Sequence, residues 1–115
     1  MQVQVNTDDN IQGGEPLAQW VRDEASSRLT RFKDHVTRLE VFLTDVDGAK
    51  SGVNDKRCRL EARVASRQPV AVTAEADKMA AAFIAAVDKL ARALDADLGR
   101  VKDRNGRDTI RAAQE

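Results

Sequence analysis

A chain of 115 residues has room for one domain of ordinary size, which buries roughly two-thirds of its unfolded surface and needs no covalent staples. Lysine plus arginine and aspartate plus glutamate both number 19, so net charge is zero, which argues against diffuse attraction to nucleic acid or membrane and leaves only a local basic patch. The opening MQVQVNTDDN lacks the basic and apolar regions of a secretion signal, no run is long and apolar enough to cross a bilayer, and the single Cys58 excludes an internal disulfide. A reducing cytoplasmic setting is therefore expected.

Gln2–Thr7 alternates strictly, with Val3 and Val5 one way and Gln2, Gln4 and Asn6 the other, as a half-buried strand does. Asp8–Gly14 is turn chemistry, and Pro16 suits a first helical turn, where its missing N–H costs nothing. Leu17, Trp20, Val21, Ala25, Leu29 and Phe32 then form a helical stripe running to about His35. Alternation returns over Thr37–Asp47, with Leu39, Val41 and Leu43 on one side and Arg38, Glu40, Phe42 and Thr44 on the other. Asp47–Asp55 is rich in Gly, Ser and Asn and reads as a loop. Lys56–Ser66 alternates again: Cys58, Leu60, Ala62 and Val64 face inward, Arg57, Arg59, Glu61 and Arg63 outward.

Gln68–Pro69 breaks the chain before a fourth strand, Val70–Ala76. A second helix follows from about Asp77 to Arg104. Met79, Phe83, Ala86, Val87, Leu90 and Leu94 recur on it at three- and four-residue steps, and Asn105–Gly106 is expected to end it. Residues 1–104 form the domain and 105–115 a flexible tail.

The element order is β-α-β-β-β-α. Four strands with one apolar face each predict an α+β fold, a four-stranded mixed sheet with both helices packed on one face. The first helix is a crossover, so strands one and two are parallel neighbours, and the rest pair antiparallel as a meander.

The pattern of Ala74–Leu94, AEADKMAAAFIAAVDKLARAL, carries a resemblance. Ala74-Glu75, Met79, Ala81-Ala82 and Asp88-Lys89-Leu90-Ala91-Arg92 through Leu94 are similar to the bacterial hibernation-promoting factors, also called ribosome-associated inhibitors. Met1-Gln2-Val3 and Leu17…Trp20-Val21 agree more loosely, and the likeness extends over roughly Met1 to Arg104. The resemblance implies a fold like that of double-stranded RNA-binding domains. It also implies binding to the small ribosomal subunit and its rRNA between head and body, across the mRNA and tRNA paths, in stress or stationary phase. Longer members add a C-terminal module that pairs ribosomes, so this chain resembles a short form. Where the family tends toward a lysine-rich run, this chain reads Asp95-Ala96-Asp97-Leu98-Gly99-Arg100.

Projected at about 100° per residue, Lys78, Lys89 and Arg100 fall on one flank of the second helix's apolar stripe, with Arg92 on the outermost face. Asp77, Asp88 and Asp95 fall on the other flank. Separated signs favour an anion contact, whereas a merely solvated face intersperses them. Arg28, Arg31 and Lys33 are further candidates on the first helix. Arg28 matches a basic position in the family but also stands four residues after Glu24, the spacing of an ion pair, while Arg31 and Lys33 are expected to be freely exposed.

The third strand's Arg57, Arg59 and Arg63, with Arg38, belong on the open sheet face, where they either keep that face hydrated or grip phosphates. The expected chemistry is phosphate neutralisation and shape recognition. Paired aromatics for base stacking are missing.

No P-loop, G-x-G-x-x-G, G-x-S-x-G or H-E-x-x-H is present. Asp45-Val46-Asp47-Gly48 fails as a calcium loop because Ala49 and Lys50 stand where a ligand and a glycine are needed. Cys58 lacks a companion at ligand spacing and reads as a small buried hydrophobe. No enzyme activity, cofactor, metal, membrane or small-molecule substrate is expected. The competing reading is a protein-interaction or regulatory module of the same fold that no longer binds the ribosome.

Overall fold

The computed structural model describes residues 1–8, 11, 13–46 and 55–114, with side chains through residue 99. The loop expected over Asp47–Asp55 lies outside the described residues except for Asp55. In chain order the elements are β1 (Gln2–Thr7), α1 (Gly14–Arg28), a 3₁₀ turn (Thr30–Phe32), β2 (Val36–Asp45), β3 (Lys56–Val64), β4 (Val70–Ala76) and α2 (Met79–Gln114). The sheet order is β1-β2-β3-β4. β1 runs parallel to β2, with Val3 opposite Leu39 and Val5 opposite Val41. The remaining pairs are antiparallel: Val41 faces Leu60 and Leu43 faces Cys58 across β2 and β3, while Leu60 faces Val72 across β3 and β4.

Because side chains alternate across a pleated strand, this register sends one apolar set to a single face. Leu39, Val41, Leu43, Cys58, Leu60 and Ala62 are buried there. α1 covers them with Val21 and Ala25, and the turn after it adds Leu29 and Phe32. α2 covers the remainder with Ala82, Phe83, Ala86, Val87, Leu90 and Leu94. Full burial of each large apolar side chain contributes roughly 1.5–3 kcal/mol, so these residues supply most of the driving force. Trp20 and Phe83 meet edge to face at 5.5 Å and tie the two helices together. Trp20 and Phe83 thus bring both helices to the same side of the sheet, as the alternation requires.

α1 begins where Gly13 takes φ 118° and Gly14 φ 50°, and the Leu17 N–H donates back to the Gly13 carbonyl at 3.2 Å. The helix does not run on to about His35 as its stripe suggested; it ends at Arg28. Leu29 leaves helical geometry, and the Thr30 hydroxyl donates to the Ser26 carbonyl at 2.6 Å. The tighter 3₁₀ turn that follows places Leu29 and Phe32 in the core and redirects the chain into β2. Core burial outweighs the continuing periodicity. β2 and β3 end at Asp45 and Val64, slightly before the expected limits, and the Ser66 φ of 62° marks the reversal toward β4.

α2 starts at Met79, not Asp77. The Ala82 N–H donates to the Lys78 carbonyl at 3.0 Å, which makes Lys78 the residue that opens the helix. Nor does α2 stop at Asn105–Gly106, since its backbone continues to Gln114. One glycine costs about 1 kcal/mol in a helix interior, and the arginine, alanine and glutamine around it are good helix formers. No helix of the described residues is long and apolar enough to cross a membrane.

Candidate nucleic-acid interface

α2 lies against β3 and β4 with its apolar stripe inward, and this fixes where every charge on it points. Lys78, Lys89 and Arg92 are all exposed. Lys78 opens the helix, where the positive end of the helix dipole adds to its own charge. Lys89 reaches sideways to the sheet edge, and its Nζ donates to the Thr73 carbonyl of β4 at 2.9 Å. An ammonium has three N–H donors, so this bond orients the side chain and leaves donors for an anion. Arg92 stands on the outer face. Asp88, although four residues before it, makes no ion pair with it, and Arg92 has no partner among the described residues. Arg100 lies in α2, but its side chain falls outside the described residues.

The candidates around α1 fare differently. Arg28 closes the ion pair that its spacing offered, to Glu24 at 2.9 Å. Arg31 is exposed, as expected, but it has a partner. Its guanidinium donates to Asp95 of α2 at 2.5 Å and lies over the Phe32 ring, 4.5 Å from the centroid. The early end of α1 is the reason: the 3₁₀ turn swings residue 31 from the helix surface toward α2. Lys33 is exposed and has no partner among the described residues.

The acidic segment of α2 also changes meaning. Asp97 accepts two hydrogen bonds from Arg67, at 2.7 and 2.9 Å, and its side chain is only 18% exposed. The Arg67 guanidinium, held by this carboxylate, has its pKa raised. Asp95 and Asp97 thus brace α2 from two sides. Asp95 takes the 3₁₀ turn and Asp97 the β3–β4 turn. These links join residues 64 and 30 positions apart, so no local pattern announces them. Of the three acids set opposite the basic flank, Asp95 is thus engaged within the molecule, while Asp77 and Asp88 are exposed.

The open sheet face is close to self-neutralised. Arg38 pairs with Glu40 at 3.0 Å, Arg57 with Glu75 at 3.1 Å, and Arg59 with Glu61 at 3.5 Å. Only Arg63 of that set has no partner among the described residues. Partnered arginines keep a sheet face hydrated but offer phosphates little free charge, which leaves α2 as the stronger candidate surface.

Elsewhere, chemistry-bearing groups are structural. Cys58 is fully buried, and desolvation pushes its thiol up to about 12. Where β2 meets β3, Lys56 bridges buried Asp45 and Asp55 at 3.2 and 3.1 Å; the Asp55 contact comes first in raising the lysine's pKa. The backbone N–H of Asp45 donates to the Asp8 carboxylate at 3.2 Å, which adds β1 to the same corner. No group of three or more metal-ligating side chains forms among the described residues.

Solved structures of other proteins share this architecture. The N-terminal domain of Thermus thermophilus Protein Y matches with a TM-score of 0.60 and 22% identity, over 78% of this chain and 91% of that one. A ribosomal subunit interface protein from Coxiella burnetii matches with a TM-score of 0.58 and 15% identity, over 90% of this chain and 99% of that one. At such identities the likeness establishes the fold. No curated protein sequence matches. The family assignment rests on a sequence model that spans residues 3–104, β1 through most of α2: the chain belongs to the family described as Sigma 54 modulation protein / S30EA ribosomal protein.

Proposed function

We propose that this protein is a ribosome-associated factor that docks on the rRNA of the small subunit through the basic side of α2 and occupies the mRNA and tRNA channel, holding idle ribosomes inactive. The observation that carries this reading is the exposed set Lys78, Lys89 and Arg92 on one rigid helix in a chain of a ribosomal-protein family. Its contacts are phosphate contacts. Each cation that displaces a counterion adds affinity and makes binding weaken with salt. The two-layer core presents these side chains without a folding step, so little ordering entropy opposes docking. Lys33 extends the cationic surface, Arg28 contributes once its Glu24 pair opens, and Arg100 joins them as a candidate by its sequence position on α2.

The test is co-sedimentation with purified small subunits across a salt series. Lys78→Glu with Arg92→Glu reverses two charges and leaves the Lys89–Thr73 bond intact, so it isolates charge from sheet-edge effects. Binding is expected to fall by at least ten-fold at low salt, with an unchanged circular dichroism spectrum. Undiminished binding of the folded double variant would remove α2 as the site. A partner captured equally well after ribonuclease treatment would favour the protein-interaction reading instead.

A further inference from the structure

The two ion pairs that cross α2 differ in kind. Arg67 and Asp97 meet through two hydrogen bonds, with side chains 31% and 18% exposed. Arg31 and Asp95 meet through one, and both side chains are 57% exposed. A half-buried two-point pair is a fastener, whereas an exposed one-point pair opens readily in water. Arg31 also lies over the Phe32 ring, 4.5 Å from its centroid, a contact that does not involve the carboxylate. Asp95 stands three residues after Arg92, and side chains at that spacing are neighbours on a helix, roughly 5–6 Å apart at Cβ. Asp95, with Arg31 docked on it, is therefore a helix-surface neighbour of Arg92, which has no partner among the described residues.

We propose that Asp95 masks Arg31 as a phosphate ligand. When RNA reaches Arg92, the Arg31 guanidinium exchanges the carboxylate for a neighbouring backbone phosphate, while Arg67–Asp97 stays closed and keeps α2 in place. This rests on the reading of α2 as the RNA-binding side. The mask makes affinity depend on a competition, so that the acidic segment tunes binding without abolishing it.

A double-variant cycle on small-subunit affinity at fixed salt tests this. Asp95→Asn is expected to tighten binding roughly three- to ten-fold by freeing one charge-assisted contact. Arg31→Gln alone is expected to weaken binding by a similar factor, and in the Arg31→Gln background the Asp95→Asn gain is expected to shrink to that of a remote charge. Asp88→Asn is the control for general electrostatics. It lies on the same flank, is exposed, and has no partner among the described residues. Its effect is expected to be equal with and without Arg31. Thermal midpoints within a few degrees of the parent protein confirm that each variant is folded. Equal gains from Asp95→Asn and Asp88→Asn, or an Asp95→Asn gain that survives loss of Arg31, would overturn the mask. Failure of the parent protein to bind small subunits at any salt would instead overturn the reading beneath it.

Discussion

Gly13 shows how much a single position can decide. Its φ of 118° is one that side chains rarely adopt, and a Cβ there would sit 2.8 Å from the Leu17 Cβ. Gly13→Ala therefore meets both backbone strain and a clash with the first apolar residue of α1. It is expected to cost about 1–3 kcal/mol in urea unfolding, with the slope of the transition unchanged. Gly14, also at positive φ, has open space around its Cβ position, and its substitution is expected to cost less. In the sequence, Gly13-Gly14 read as part of a turn, but nothing local distinguished the crowded glycine from the open one. That depends on where Leu17 is carried once the helix packs. Arg28 and Arg31 teach the same lesson. The Glu24–Arg28 pair was legible from its spacing, while the Asp95 partner of Arg31 was not, because it comes from a different element.

Among the elements, the strands were the most legible. Period-two alternation gave their faces, and chain order gave their pairing, including parallel β1 and β2. Helix ends were the least legible. Amphipathic spacing continues past Arg28, and only the need to turn Leu29 and Phe32 inward stops α1 there. β4 raises a separate matter, since it is an edge strand made of Val70–Ala76. An antiparallel edge turns the backbone groups of alternate residues toward solvent, and such a row invites pairing with another chain. Thr73 lies in that row, and Lys89 occupies its carbonyl. A charged side chain parked on an edge discourages strand addition. Lys89→Ala is accordingly expected to self-associate as concentration rises, visible as a growing mass in light scattering after size exclusion. Arg92→Ala, which touches no backbone, is expected to remain at the parent's mass. Equal behaviour of the two variants would mean that the edge needs no such guard.

At the scale of the whole molecule, a net charge of zero conceals an uneven distribution. Ion pairs across the open sheet and at the two braces absorb many cations; of the unpaired ones among the described residues, Lys78, Lys89 and Arg92 share one helix, while Lys33 and Arg63 stand apart. Composition could exclude a diffuse attraction to RNA; it could not locate the residue of charge that survives pairing. The core imposes an alkaline limit on stability. The Cys58 thiol is raised to about 12 in the folded protein from 9.0, so the unfolded chain loses its proton first. Stability attributable to this group is complete below pH 9 and is lost as pH climbs toward 12, at up to about 1.4 kcal/mol per pH unit. The raised Lys56 adds to the decline, because its charge in the folded state is also favoured below its ordinary range and forfeited above it. Unfolding free energy measured from pH 8 to 11 is expected to fall, and Cys58→Ala to flatten that fall while lowering the plateau. A steady profile in the parent protein would contradict the burial of the thiol.

The same cysteine has a practical consequence. It lies mid-strand in β3, within the buried core, with no exposure at all. A thiol-reactive dye can reach that sulfur only after the layers separate. The rate of its labelling, followed in the presence and absence of ribosomes, therefore clocks how often the native protein opens and whether the proposed partner slows that opening.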